Sequence, residues 1–121
     1  SQPELLNEVV EKGTYVRDRL LELKKKGSII GDIREKGLMM GIEFVDPNAT
    51  PDKLGALPGS GEIAADIQHR CFEKHLIMER GGRNGAVMRC LCALNVTRDE
   101  INKMLEIFES VVMEVDAGAK K

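Results

Sequence analysis

The residue best placed to do chemistry is Arg89, which lies inside the run Ala86-Val87-Met88-Arg89-Cys90-Leu91. The run predicts a strand over residues 86–91, so the guanidinium has apolar neighbours on both sides. Such a group must extend to solvent, pair with an acid or face a cleft. Its planar fork suits a carboxylate held by charge-assisted bonds, each contributing about 1.5–3 kcal/mol. An internal ion pair with Glu43 or Glu79 is the alternative, and the sequence leaves it open.

The histidines and cysteines give weaker signals. His69 and His75 are six residues apart on a predicted helix, a spacing that does not put them on one face, so we expect exposed side chains. Cys90 and Cys92 share one face of a strand, but only Cys71 could add another thiolate ligand. We therefore predict no metal site. We expect reduced core thiols, as in a cytoplasmic protein.

The glycine-rich run 81–85 predicts a tight turn. It lies between two predicted strands rather than before a helix, so it lacks the helix dipole that strengthens phosphate binding. The sequence also contains no His-Glu-x-x-His, Cys-x-x-Cys or phosphate-loop motif. We expect no cofactor site in this run.

Length and composition are typical of one globular domain. The chain has 121 residues with 42% hydrophobic and 31% charged residues, which predicts a single core. A net charge of −2 makes nucleic acid an unsuitable partner. No apolar run is long enough to cross a bilayer, and the start Ser1-Gln2-Pro3 has no signal-peptide pattern. A first residue other than methionine fits either a piece of a longer protein or methionine removal.

Three segments predict amphipathic helices. The first follows Pro3 and ends at the lysine run 24–26. The second covers 62–75, and the third opens with Thr97 and Glu100, which form a capping box. The expected inward residues are, helix by helix, Leu6, Val9, Val10, Gly13, Val16, Leu20 and Leu23; Ile63, Ile67, Cys71 and Phe72; and Ile101, Met104, Leu105, Phe108, Val111, Val112 and Val115.

Two pairs of strands complete the pattern. Residues 28–34 and 38–45 predict a hairpin with its turn at 35–37, and residues 76–79 and 86–91 flank the glycine-rich turn.

The remaining segments predict a surface loop at 46–61 and a frayed tail at 116–121. Gly41, inside a strand, predicts a bulge or a close backbone approach. The order α-β-β-α-β-β-α favours a small antiparallel sheet with helices packed on one face, because this buries all three apolar stripes. The predicted fold class is α+β.

Two segments of the chain resemble the class III (ornithine/GABA-type) aminotransferases. Residues 30–43, Ile-Gly-Asp-Ile-Arg-Glu-Lys-Gly-Leu-Met-Met-Gly-Ile-Glu, are similar to that family's hairpin Gly-x-Val-Arg-Gly-x-Gly-Leu-Met-x-Gly-Ile-Glu. Residues 87–97, Val-Met-Arg-Cys-Leu-Cys-Ala-Leu-Asn-Val-Thr, look like its Val-x-Arg-Phe-Leu-Pro-Pro-Leu-x-Ile-Thr segment. The run 81–85, the segment 67–72 and the loop after Asp46 are similar to the diaminobutyrate–2-oxoglutarate aminotransferases in particular.

The resemblance implies a fold-type-I enzyme. In that architecture a large domain holds pyridoxal 5'-phosphate (PLP) on a lysine, and a C-terminal small domain closes over the substrate. Residues 1–121 would be the small domain, with the large PLP-binding domain absent, so no catalytic or cofactor-binding residue is expected here. Arg89 alone carries over, matching the small-domain arginine that binds a substrate carboxylate. The contexts of Lys24, Lys36, Lys53 and Lys74 do not match that of the family's PLP lysine.

The implied reaction transfers an amino group from L-2,4-diaminobutyrate to 2-oxoglutarate. The resemblance further implies amino acid and 2-oxo acid substrates and a homodimeric parent protein, with this chain inactive alone. Two departures affect the surroundings of Arg89: Cys92-Ala93 stands where the family has Pro-Pro, and Glu35 stands where it has Gly. The first affects how rigidly the segment after Arg89 is held, and the second the hairpin turn.

Two other functions are compatible with the same elements. A free-standing ferredoxin-like module, binding a ligand or regulating a partner, would also use two strand pairs with packed helices. In such a module Arg89 would form a structural ion pair. A pure interaction domain is the third possibility. The sequence does not choose among diaminobutyrate, ornithine and GABA as amino donor.

Overall fold

The computed structural model describes residues 2–36, 39–91 and 97–119, with the side chains of residues 2–9, 36, 90 and 91 outside that description. The elements in chain order are α1 (Gln2–Lys26), β1 (Ile30–Lys36), β2 (Met39–Phe44), α2 (Gly61–Glu73), β3 (Glu79–Gly81), β4 (Val87–Leu91) and α3 (Arg98–Ala119). A 3-10 turn, Arg83–Gly85, joins β3 to β4. The predicted element order and the α+β class are confirmed.

The strands form one antiparallel sheet in the order β1-β2-β4-β3. Met40, Ile42 and Phe44 of β2 and Met88 of β4 are buried in the same core as the helices. Because side chains alternate across a strand, the residues between them lie on the other face, which we call the helix-free face. Its described members are Asp32, Arg34, Met39, Gly41, Glu43, Glu79, Gly81, Val87 and Arg89.

The sheet irregularity lies at Gly31 and not at Gly41, where the sequence predicted one. The register of β1 against β2 shifts at Gly31, whereas Gly41 pairs in regular register with Arg89. A Cβ at Gly31 would lie 2.4 Å from Cγ1 of Val45, but one at Gly41 would meet Val87 at an ordinary 3.6 Å. Close packing against Val45 therefore explains the glycine at position 31.

Helix α2 begins where Ser60 caps it. The Ser60 hydroxyl accepts a hydrogen bond from the backbone N–H of Ile63 at 3.1 Å. Ile67 and Cys71 are buried as predicted, whereas Phe72 is 63% exposed. Phe72 follows Cys71 directly, about 100° further round the helix, and this rotation turns its ring away from the sheet.

Helix α3 opens with the predicted capping box. The Glu100 N–H donates to Oγ1 of Thr97 at 3.1 Å, and the Thr97 N–H donates to Oε1 of Glu100 at 3.3 Å. Most of the predicted inward stripe is buried, namely Ile101, Leu105, Phe108, Val111, Val112 and Val115, with Met104 partly buried. Val16, Leu20 and Leu23 of α1 join that core, but Val10 is 61% exposed against expectation. None of the described helices has both the length and the apolar character that spanning a membrane requires.

The long loop after β2 returns to its starting point. Val45 and Gly59 form an isolated antiparallel bridge that closes the base of the loop. Within it, the Asp52 carboxylate accepts hydrogen bonds from the N–H groups of Leu54 and Ala56 at 2.8 and 2.9 Å. Helix α2 starts at Gly61, so the loop is one residue shorter than the predicted 46–61.

The expected fraying of 116–121 is wrong for residues 116–119. Helix α3 continues to Ala119, and Asp116 is only 2% exposed. Its carboxylate accepts hydrogen bonds from the Ser28 N–H at 2.8 Å and the Ser28 hydroxyl at 3.0 Å. Gly27 lies so close that a Cβ there would be 1.8 Å from Oδ2 of Asp116. This carboxylate fastens α3 to the turn between α1 and β1. Residues 120 and 121 lie outside the description.

We predict that Asp116→Ala lowers the free energy of unfolding by about 2 kcal/mol, because it leaves the partly buried Ser28 donors without their acceptor. Urea denaturation of the purified chain measures this. The control is Glu106→Ala, at an exposed position of the same helix, which should change the value by less than about 0.5 kcal/mol. Equal losses in the two variants would contradict the anchoring role.

A second prediction concerns Cys71, which is fully buried. Burial raises the pKa of its thiol to about 11, although the nearby Lys74 ammonium opposes the shift. Folding thus favours the protonated thiol. The stabilisation that the buried thiol contributes is fully present below the pKa of the unfolded state, near 8.5. It is lost as the pH rises towards 11. We expect wild-type stability to fall by about 2 kcal/mol more than that of Cys71→Ala between pH 8 and 10.5. The free energy of unfolding of both proteins is measured by urea denaturation at each pH. An equal fall in the two proteins between pH 8 and 10.5 would refute this prediction.

Candidate carboxylate-binding site

Arg89 occupies the third position of β4 and lies on the helix-free face. Its neighbour Met88 is fully buried in the core, whereas Arg89 is exposed. In the sheet register it lies opposite Gly41 of β2 on one side and Glu79 of β3 on the other. The sheet therefore holds the backbone of Arg89 from both sides and leaves its side chain on the open surface.

The internal ion pair that the sequence left open is not formed. Among the described residues, no carboxylate oxygen lies within 4.0 Å of the Arg89 guanidinium; Glu43 and Glu79 are both on the same face. Glu79 is the cross-strand partner of Arg89, and opposite charges at such positions commonly pair. The guanidinium instead lies over Gly81, two residues further along β3. No acid in the described part of the chain neutralises it.

Arg34, a second arginine of the helix-free face, differs from Arg89 in this respect. Its Nε donates to Oδ2 of Asp32 at 2.6 Å. This hydrogen bond raises the pKa of Arg34 above its ordinary value. The charge of Arg34 is thus matched by a neighbour on its own strand, whereas Arg89 has no such carboxylate partner among the described residues.

The turn beside Arg89 is fixed from the helix side. Arg80 points towards α2, where its Nε donates to Oε1 of Gln68 at 3.2 Å, and its Nη1 donates to the Gly85 carbonyl at 3.2 Å. Gln68 in turn donates to the carbonyl of Met78 at 2.9 Å. Sequence reasoning missed this support, although an arginine next to Gly81 and a glutamine in the preceding helix were visible signals. The bonds hold the chain that passes beneath the Arg89 guanidinium.

The other candidate residues lie away from this surface. His69 is exposed on α2 with Nε2 3.3 Å from Oε1 of Glu73, and His75 is exposed at the end of that helix. Cys71 is buried in the core. Over the described residues, no three His, Cys, Asp or Glu side chains are placed to hold a metal ion. Cys92 and the side chain of Cys90 lie outside the description.

Three of the lysines compared above with the family's PLP lysine lie near the ends of α1 and α2 and on the long loop. Lys24 is half-buried near the end of α1, and Lys53 is exposed on the long loop. Lys74 is committed to Oε1 of Glu114 at 3.4 Å on the helix layer. None of the three lies beside Arg89 on the helix-free face, and the side chain of Lys36 is outside the description.

One departure from the family pattern is explained by the structure. Glu35 points towards α1, where Oε2 lies 3.6 Å from Nη1 of Arg17. Its Oε1 is 3.1 Å from where a Cβ of Gly13 would stand. Glu35 thus contacts helix α1 from the opposite face to Arg89. The other departure, Cys92-Ala93, falls outside the described residues.

Comparison with known proteins agrees with the fold and with the sequence motifs. The family model of the class III aminotransferases matches residues 1–112. The chain is 43% identical over 104 residues to the diaminobutyrate–2-oxoglutarate aminotransferase of Haemophilus influenzae, covering 86% of this chain and 23% of that protein. It is also 37% identical over 114 residues to an alanine/serine racemase of Pyrococcus horikoshii, covering 94% of this chain and 22% of that one.

Solved structures show the same relationship. A Bacillus anthracis aminotransferase superimposes with a TM-score of 0.76 at 26% identity, over 93% of this chain and 25% of that one. The chain therefore spans about a quarter of the length of the relatives it matches. A match over residues 1–112 decides against an unrelated ferredoxin-like module. Taken with the helix-backed sheet that carries Arg89, these similarities show that the chain belongs to the class III aminotransferases.

Proposed function

We propose that this chain is the C-terminal small domain of a PLP-dependent aminotransferase, in which Arg89 binds a substrate carboxylate. The observation that carries the proposal is the exposed guanidinium on the helix-free face, without an acidic partner in the described chain. An arginine that served only the fold would be expected to pair with Glu79, its cross-strand neighbour. An arginine that serves a ligand has to keep its donors free.

The chemistry of the guanidinium selects the ligand. Arginine presents several N–H donors in one plane and matches the two oxygens of a carboxylate. Amino acids and 2-oxo acids both carry that group next to the carbon that reacts. Holding it at Arg89 fixes the direction of the reacting carbon, so that binding energy is converted into orientation. Arg89 thus acts by positioning the substrate and not by transferring a proton.

The cofactor would come from the rest of the protein. PLP supplies the electron sink of amino-group transfer when it is bound, and the family implies it in the parent protein. The chain covers only 23% of the relative from Haemophilus influenzae. We infer that the remaining length holds PLP and faces Arg89. The chain by itself would then be inactive.

The reaction we infer transfers an amino group from L-2,4-diaminobutyrate to 2-oxoglutarate. Similarity at 43% identity to an enzyme of that name supports this substrate pair. The chain is also 37% identical to an alanine/serine racemase, so racemisation is the alternative reaction that an experiment has to distinguish from transamination. The parent protein is proposed to be a homodimer, as the resemblance implies, and to be cytoplasmic, in keeping with the reduced thiols expected from the sequence.

The first test separates the chain from the protein that contains it. We predict that the purified 121-residue chain, mixed with PLP, shows no cofactor absorbance band and no transamination. The full-length gene product should show the band and form glutamate from 2-oxoglutarate when L-2,4-diaminobutyrate is supplied. A band with turnover from the chain alone, or racemisation without transamination by the full-length protein, would contradict the proposal.

The second test concerns Arg89 in the full-length enzyme. Arg89→Ala should raise KM for 2-oxoglutarate about 10- to 100-fold, since one charge-assisted carboxylate contact is lost, and it should leave the PLP absorbance unchanged. Arg89→Lys should fall between wild type and Ala because an ammonium cannot form the two-pronged contact. Steady-state kinetics measures both variants.

The matched control is Arg70→Ala, which removes a guanidinium from the helix layer, where Arg70 pairs with Asp66 and Glu114. It should leave KM unchanged. In the isolated chain, Arg89→Ala should alter the free energy of unfolding by less than about 0.5 kcal/mol, as for an exposed residue with no ion pair. A large loss of stability with an unchanged KM would identify Arg89 as structural and end the proposal.

A further inference from the structure

The flat face of the Arg89 guanidinium is turned towards the space that a side chain of Gly81 would occupy. A Cβ built on Gly81 would lie 3.3 Å from Cζ, 3.3 Å from Nη2 and 3.6 Å from Nη1 of Arg89. A point in the plane beyond the fork would be closer to the nitrogens than to the central carbon. Here Cζ is as close as the nearer nitrogen, so the point lies above the plane. The missing side chain of Gly81 therefore leaves open space in front of the flat face of the arginine.

Gly81 is a glycine for reasons of space and not of backbone conformation. The described glycines with a left-handed φ are Gly55, Gly82 and Gly85, so Gly81 has a φ that any residue could adopt. Its special property is the absent side chain. A methyl group at 3.3 Å would be closer to the guanidinium than most Cβ contacts in proteins are, and the arginine would have to move by a few tenths of an ångström.

The position of the guanidinium next to Gly81 determines which of its atoms a ligand can reach. All guanidinium N–H donors lie in the plane of the group, so a neighbour on the flat face leaves them unobstructed. The open space at Gly81 also accommodates the fork in a position where it does not pair with Glu79, the cross-strand partner of Arg89. Since the side chain is flexible at its end, lifting it would cost the fold little but would change the pose of the fork.

We propose that Gly81 is a positioning residue that sets the orientation of Arg89 towards the substrate carboxylate, an inference that rests on the function proposed above for Arg89. Gly81 touches neither the substrate nor the cofactor in this account. It acts by leaving room for the arginine. The expected consequence of adding a methyl group is weaker carboxylate binding with an intact fold.

A double-mutant cycle in the full-length enzyme tests this proposal. Gly81→Ala should raise KM for 2-oxoglutarate about three- to tenfold while kcat changes less, because a shift of tenths of an ångström costs part of the binding energy. In an Arg89→Ala background the same substitution should have no further effect. Gly118→Ala is the control: a Cβ there meets nothing within 4 Å, and it should leave KM unchanged.

Each outcome separates this inference from the function on which it depends. An equal effect of Gly81→Ala with and without Arg89, or no effect while Arg89→Ala still raises KM, overturns the role of Gly81 alone. No effect of Arg89→Ala overturns the proposed function itself. Thermal unfolding of the variant chain shows whether the fold survives. If the variant does not fold, NMR of the wild-type protein tests the proposal instead. Contacts between the Gly81 Hα protons and the Arg89 Hδ protons support the position of Arg89 next to Gly81, and their absence overturns it.

Discussion

The proposed function depends on the positive charge of Arg89, which no acid among the described residues neutralises. Arg89 lies on the helix-free face of the sheet, opposite the helices. The helices pack on one face, where Met40, Ile42 and Met88 are buried in the core. The other face is left for polar groups, where an arginine can remain solvated until a carboxylate replaces the water. Because the helices pack on the core side only, Arg89 on the opposite side remains exposed.

Much of the fold could be predicted because its signals are local. The capping box of Thr97 and Glu100, the apolar stripe of α3 and the glycine-rich turn all follow from spacing within a few residues. The predictions were wrong where contacts between segments distant in sequence determine the structure. Asp116 looks like a tail residue in sequence but is buried against Ser28, 88 residues away. Gly31 is required by Val45, a contact that no pattern within one strand reveals.

The candidate site was predicted only in part, for the same reason. The sequence showed an arginine within an apolar strand, and the family resemblance suggested its role. It could not show that Glu79 would be placed opposite Arg89 without pairing with it, because that depends on register and on side-chain direction. The sequence also could not show that the missing side chain of Gly81 leaves room for the guanidinium of Arg89. Family membership, in contrast, rests on motifs that extend over most of the chain and was readable from the start.

The most direct test of the account is a crystal structure of the full-length enzyme with 2-oxoglutarate bound. The account predicts that both terminal nitrogens of Arg89 lie about 2.7–2.9 Å from the oxygens of one substrate carboxylate. It also predicts that the flat face of the guanidinium still covers Gly81. A substrate whose carboxylates are bound elsewhere, with Arg89 paired to an acid of its own domain, would contradict the central claim.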